Sequence, residues 1–176
     1  TSSTQATLDN KYGVSKKAAE DAVFGYQDNT GASVYVYRLP NVFGKWGRPN
    51  YNSFVSTFCH NVANDLPISI NDPLSAVELV YIDDVCESFL STLSEGSVVG
   101  FKQVGVSYPT TVGRVADLLR EFKSSRETLT TEAVGEGLTR ALYSTYLSYL
   151  RPEKFSYSIP SYADERGVFA EMLKTK

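Results

Sequence analysis

The chain has 176 residues, 42% of them hydrophobic, and carries 17 basic against 20 acidic side chains for a net charge of −3. That size and apolar content bury a core in one domain or slightly more, and the mild acidity leaves no basic footprint for nucleic acid. No apolar run approaches bilayer-spanning length and no signal-peptide pattern opens the chain, so neither a membrane nor a nucleic-acid partner is expected.

The chain opens with Ser2-Ser3-Thr4, which reads as a strand end, followed by a helix from Leu8 to about Tyr26 with Asp9 or Asn10 as its cap. Tyr12 and Lys16 lie four residues apart on that helix and so project from one face. A free phenol titrates near pH 10 and is a poor proton donor at neutrality, but a neighbouring ammonium favours its phenolate and brings it toward working range. A hydroxyl from Ser3 or Thr4 at the strand end would orient the phenol and hydrogen-bond a substrate oxygen. Such a set protonates an alkoxide as hydride reaches a carbonyl, or runs the reverse. With 12 tyrosines in the chain, roughly 0.6 Tyr-x-x-x-Lys pairs arise by chance, so the spacing needs support from other motifs.

After the turn at Gly31, Ser33 to Leu39 is β-branched and aromatic and predicts a strand. A helix leading into such a strand predicts an α/β unit with a parallel sheet, and Pro40 to Gly44 leaves at the carboxyl end, where open α/β sheets place ligands. A loop from Lys45 to Asn52 precedes a helix from Ser53 to Asn64. Short strands are expected at Pro67–Ile70 and Val77–Tyr81, then a helix capped by Asp83 or Asp84 and running to about Leu93. Val98 to Val106 predicts a strand, and Thr110 or Thr111 caps a helix from Val112 to Lys123. A Ser/Thr-rich link is expected from Ser124 to Thr131. The next helix runs from Leu138 to Leu150, with Tyr143, Tyr146 and Tyr149 read as packing residues, and Pro152 stops it. Phe155–Ile159 alternates like a strand, and Asp164 to Gly167 turns into an apolar segment, Val168 to Lys174. Cys59 and Cys86 read as buried thiols of a cytosolic protein rather than a disulfide, His60 as a packing or helix-surface residue, and no spacing suits a metal.

Four motifs stand in order: Ser-Ser-Thr; Tyr12-Gly13-Val14-Ser15-Lys16; Arg38-Leu39-Pro40-Asn41-Val42-Phe43-Gly44; and Val80-Tyr81-Ile82-Asp83-Asp84-Val85. Together they resemble the extended short-chain dehydrogenase/reductases that act on nucleotide sugars, the epimerase/dehydratase family. Ser2-Ser3-Thr4-Gln5-Ala6, Arg48-Pro49-Asn50-Tyr51-Asn52-Ser53 and Tyr143 to Leu150 resemble more closely the bifunctional capsule-biosynthesis reductases, which join a reductase domain to a C-terminal cupin. Asp164 to Phe169 looks like the opening of that cupin.

The resemblance implies a catalytic Thr4 (Ser3 as fallback), Tyr12 and Lys16. It implies cofactor contacts from Tyr12, Lys16 and the backbone of Leu39 and Pro40, and substrate contacts from Asn41, Arg48, Asn52 and Ser53, with Lys45 and Arg48 adding charge for a diphosphate. It also implies NADPH, a UDP-sugar substrate, and a homodimer in the whole protein. The activity implied is reduction of a 4-keto-6-deoxy UDP-N-acetylhexosamine toward N-acetyl-L-fucosamine. The rivals are an epimerase or dehydratase of the same fold, or a non-catalytic assembly fragment. Dehydratases place acidic residues after the triad hydroxyl, where this chain has Gln5 and Ala6. Two departures stand out. The arginine that clamps the diphosphate in many members is replaced by Val77 or Glu78. No glycine-rich phosphate loop occurs, since Gly135-Glu136-Gly137 neither follows a strand nor continues the pattern.

The expected fold is therefore α/β: the C-terminal half of a Rossmann-like reductase with its small substrate lobe (residues 1–150), then a linker and the first strand of a cupin (residues 151–176). Such a piece is expected to be inactive alone, with the terminal strand finding partners beyond Lys176.

Overall fold

A computed structural model describes residues 1–94 and 99–175. In chain order the elements are β1 (Ser2–Ser3), a 3-10 turn (Thr4–Thr7), α1 (Lys11–Thr30), β2 (Tyr35–Leu39), β3 (Asn41–Phe43), α2 (Phe54–Ala63), β4 (Ala76–Tyr81) and α3 (Ile82–Ser94). They continue with β5 (Gly100–Lys102), β6 (Tyr108–Thr111), α4 (Val112–Thr128), β7 (Thr130–Thr131), α5 (Gly137–Leu147), a 3-10 turn (Pro152–Lys154), β8 (Ser161–Asp164), β9 (Gly167–Ala170) and β10 (Lys174–Thr175). The chain folds as two compact units, Thr1–Val42 with Glu78–Ser107, and Phe43–Val77 with Tyr108–Lys176.

The first unit is the expected α/β layer. β1 and β5 flank β2 in a parallel sheet, with Ser2 opposite Arg38, Ser3 opposite Leu39, and Tyr35 opposite Gly100. Alternation puts Val34 and Val36 in the core. Tyr37 is buried too, its hydroxyl 2.6 Å from Thr92 Oγ1 and its ring 4.7 Å from Phe89 of α3. α1 begins at Asn10, whose side chain accepts from Gly13 N–H at 2.8 Å, and ends at Gly31 in the left-handed conformation, φ 71°. It runs four residues past Tyr26, since nothing between Tyr26 and Gly31 breaks a helix and Thr30 Oγ1 bonds back to the Tyr26 carbonyl at 2.7 Å.

The second unit is a cluster of α2, α4 and α5. Val55, Phe58, Cys59 and Val62 of α2, Val115, Leu118, Leu119 and Phe122 of α4, and Ala141, Leu142 and Tyr146 of α5 form its core. Burial pushes the Cys59 thiol well above its ordinary range and the Tyr146 phenol up to about 12, so neither ionises near neutrality. Both cysteines are free; Cys59 is buried as expected, but Cys86, expected to be buried, is exposed on α3.

Several expectations are corrected. The Ser/Thr-rich stretch from Ser124 is not a link: α4 continues to Thr128, because Ser124, Ser125 and Thr128 turn their hydroxyls back onto the carbonyls of Glu121, Phe122 and Ser124. Pro67–Ile70 is not a strand; the Asn61 side chain donates to the Pro67 carbonyl at 2.9 Å, tying this segment to the end of α2. Phe155–Ile159 forms no strand either, although it alternates; it stays largely exposed, and Arg126 donates to the carbonyls of Lys154 and Phe155. Asp83 and Asp84 lie within the first turn of α3, which starts at Ile82, rather than capping it. The strand expected over residues 98–106 is confined to β5, and Val98 lies outside the described residues. The terminal strand, expected to lack partners, pairs as an antiparallel β8–β9 hairpin about the Asp164–Gly167 turn, while β10 runs parallel to β7.

Candidate active site

The site is built on the amino end of α1. Tyr12 is half exposed, and the Lys16 ammonium lies 5.5 Å from the centre of its ring. The face that carries them is held close to the preceding turn by Gly13: a methyl group there would collide with the carbonyl oxygens of Gln5 and Leu8. Only glycine lets the Thr4–Thr7 turn sit against the first turn of the helix. Ser3 caps the turn by accepting from Gln5 N–H at 3.2 Å, which uses the hydroxyl named as fallback. Thr4 carries the other hydroxyl and is exposed.

At the carboxyl ends of β1 and β2 lies a cavity of about 170 Å³ whose lining includes Thr4, Arg38, Leu39, Pro40, Glu78 and Ser107. Thr4, Leu39 and Pro40 thus share one wall. Tyr12 and Lys16 meet each other on α1 but are not among the residues lining this cavity. Asn41 donates from its side chain to the Glu78 carbonyl at 3.2 Å, and the Glu78 carboxylate accepts from Ser107 Oγ at 2.8 Å. The cavity lining thus includes both a carboxylate, Glu78, and a guanidinium, Arg38.

Arg48, Asn52 and Ser53 fall together on the loop before α2, in the second unit. Ser53 caps α2, its Oγ accepting from Ser56 N–H at 3.3 Å. The loop is a firmly held turn. Trp46, Asn50 and Asn52 take left-handed backbone angles, φ 59°, 56° and 54°, a geometry that clusters at functional positions. Trp46 N–H donates to Ser148 Oγ at 3.2 Å, Asn50 N–H to Thr57 Oγ1 at 2.9 Å, and the Tyr149 hydroxyl to the Gly47 carbonyl. Arg48 lies over the Tyr51 ring at 5.3 Å. The tyrosines of α5 are packing residues, Tyr143 and Tyr146 against Phe122, but Tyr149, just past the helix, also secures the loop bearing Arg48. His60 packs edge-on to Tyr149.

Sequence reading missed Glu20 and Arg38. Glu20 is 2% exposed, yet both of its oxygens are bound by Arg38, from Nε at 2.9 Å and Nη2 at 2.6 Å. These bonds hold the Glu20 carboxyl down at about 2 against the opposing effect of burial. The guanidinium stacks on Phe101 at 4.2 Å, and Phe101 meets Phe24 of α1 edge-on at 5.3 Å. Residues 18 apart give no periodic signal; the hint was an arginine, Arg38, within an otherwise apolar strand. Among the described residues no cluster of side chains suits a metal ion, and no helix is long and apolar enough to cross a membrane.

A parallel sheet flanked by helices, with a cavity at the strand ends, defines a Rossmann-like α/β scaffold. The model of the NAD dependent epimerase/dehydratase family matches residues 1–102, and the chain belongs to that family. It is 53% identical over 176 residues to the UDP-2-acetamido-2,6-beta-L-arabino-hexul-4-ose reductase of Pseudomonas aeruginosa, covering 99% of this chain and 47% of that protein. The crystal structure of the capsular polysaccharide assembling protein CapF from Staphylococcus aureus superposes with a TM-score of 0.92 at 40% identity, covering 99% of this chain and 48% of that one. The Bordetella bronchiseptica enzyme WbmF, solved with NAD+ and UDP, shares the fold at a TM-score of 0.66 and 14% identity, over 81% of this chain and 54% of its own. The chain spans about half the length of these relatives.

Proposed function

We propose that this chain is the proton-delivering, substrate-facing part of an NADPH-dependent reductase of a 4-keto-6-deoxy UDP-N-acetylhexosamine, on the route to N-acetyl-L-fucosamine of capsule or O-antigen. In this proposal residues 1–150 belong to the reductase domain and residues 151–176 lead into a cupin, within a cytoplasmic homodimer. The observation that carries the reading is the Tyr12–Lys16 pair, with the ammonium 5.5 Å from the phenol ring, on the helix pressed against the turn bearing Thr4. The 53% identity to a UDP-sugar 4-keto reductase supports the reaction class.

The residues present fit the nicotinamide end of a dinucleotide: an open cavity at the strand ends, walled by Leu39 and Pro40, with Thr4 at its edge. They do not fit its pyrophosphate end, because the sequence holds no glycine-rich turn between strand and helix. Leu39 and Pro40 would flank the nicotinamide ring and Lys16 would hold its ribose. When bound, the cofactor supplies the hydride. Thr4 Oγ1 would hydrogen-bond the substrate carbonyl oxygen and set it against Tyr12. As the carbonyl carbon accepts hydride, its oxygen takes the proton from Tyr12 Oη, giving the alcohol and a phenolate stabilised by the Lys16 ammonium. Asn41, Arg48, Asn52 and Ser53 would bind the sugar nucleotide, with Arg48 offering a planar fork to phosphate oxygens.

The test is cofactor balance in the complete enzyme with the 4-keto sugar nucleotide. A reductase consumes one NADPH for each alcohol formed; sugar isomerised with no net NADPH oxidation would replace this reading with an epimerase. The 176-residue chain alone should bind NADPH at roughly millimolar or weaker by calorimetry. Micromolar binding by this chain would contradict its assignment as a part lacking the phosphate site.

A further inference from the structure

Tyr12, Lys16 and Glu20 follow one another at four-residue spacing along one face of α1. Next to them runs a second stripe with the same lysine-to-acid spacing, Lys17 and Asp21, and there the ammonium bonds the carboxylate one turn ahead. Lys16 does not do the same toward Glu20. Its ammonium instead lies over the Tyr12 ring, one turn behind. The difference between the two stripes is Arg38, which occupies both Glu20 oxygens. Arg38 is itself fixed, since Phe101 stacks on its guanidinium and leans on Phe24 of the same helix.

We propose that Arg38 is a positioning residue for proton transfer: by occupying Glu20 it leaves Lys16 to Tyr12. The helix needs an anchor to β2, and a buried carboxylate–guanidinium fork supplies one with fixed rotation and register. That anchor places a negative charge one turn from the lysine the reaction depends on. Without the guanidinium, the buried carboxylate would draw in a flexible cation from its own helix. Lys17, whose charge already acts on Glu20, is held by Asp21, so the lysine left to move is Lys16, one turn behind Glu20, which would leave the phenol.

This inference rests on the proposed role of Tyr12 and Lys16, and the experiment separates the two. In the complete reductase, Arg38→Met should lower kcat at least about tenfold while KM for the sugar nucleotide stays within about twofold. Adding Glu20→Gln removes the charge that attracts Lys16 and should return kcat to within about threefold of the parent, a rescue that a packing role for Arg38 would not give. Arg38→Lys keeps a cation on Glu20 and should also retain kcat within about threefold, which covers the case in which Arg38→Met does not fold. Unchanged kcat in a folded Arg38→Met, no rescue by Glu20→Gln, or equal loss in Arg38→Lys would each overturn the inference. Tyr12→Phe in the same assay tells the two failures apart. If it is inactive while Arg38→Met is normal, only the role of Arg38 falls; if it turns over normally, both fall.

Discussion

The two units are held in opposite ways. α4 in the second unit turns seven of its seventeen residues inward, including Val115, Leu118, Leu119 and Phe122, and packs as an ordinary amphipathic helix. α1 in the first unit has twenty residues, of which only Gly13 and Glu20 are buried. One of these is a missing side chain and the other a carboxylate. Broad apolar contact tolerates small shifts, whereas a glycine contact and a bidentate ion pair fix one rotation and one register. The helix bearing the proposed proton donor is of the second kind, which suits a group that must meet a substrate atom at hydrogen-bond distance.

Breaking each kind of attachment should give a different signature. The largest effect is expected in the helical cluster. Phe122→Ala removes a fully buried ring that touches Tyr143 and Tyr146 and should cost about 3–5 kcal/mol in denaturant unfolding. Circular dichroism of the helices follows that transition, since the sole tryptophan, Trp46, is already 80% exposed in the fold. Gly13→Ala should cost less, about 1–3 kcal/mol, yet harm turnover more than Phe122→Ala does at a temperature where both variants are folded. Equal activity in the two variants would show that the glycine contact does not serve the site.

Acid sharpens the comparison further. Glu20 and Asp65 are both held at about 2, the first by Arg38 and the second by Lys123 and then Lys154. Their folded values lie below the ordinary carboxylate value of 4.5 or 3.8, so each stabilises the fold fully above that value. The contribution then fades as pH falls toward about 2. The Glu20 side chain is 1% exposed and Asp65 is 59% exposed, so salt screens the second and hardly the first. Acid unfolding of Glu20→Gln/Arg38→Met against the parent should show a difference that shrinks between about pH 4.5 and 2 and is insensitive to salt. Asp65→Asn should show a smaller difference that salt removes.

Much of the fold was legible because its signals are local. Asn10, Ser53 and Thr111 cap the helices the sequence predicts, and the β-branched and aromatic run that includes Val34, Val36 and Tyr37 marks the buried strand β2. The misreadings share a feature, which is polar groups whose partners the residue pattern does not name. Ser124 to Thr128 looks like a link until its hydroxyls are seen bonded to their own helix, and Pro67–Ile70 and Phe155–Ile159 look like strands until side chains from other segments claim their carbonyls. Tyr12 and Lys16 were visible as a spacing on one helix. The Glu20–Arg38 pair was not, since an arginine in an apolar strand calls for a partner without naming it, and only folding brings residues 18 apart in sequence together.

Tyr12 is the residue on which the proposed proton transfer depends most directly. Tyr12→Phe keeps the ring and removes the hydroxyl that donates the proton, so in the complete protein single-turnover hydride transfer should slow on the order of a hundredfold or more, while the dissociation constant of the sugar nucleotide changes little. Near-normal turnover in that variant would mean the Tyr12–Lys16 pair does not deliver the proton.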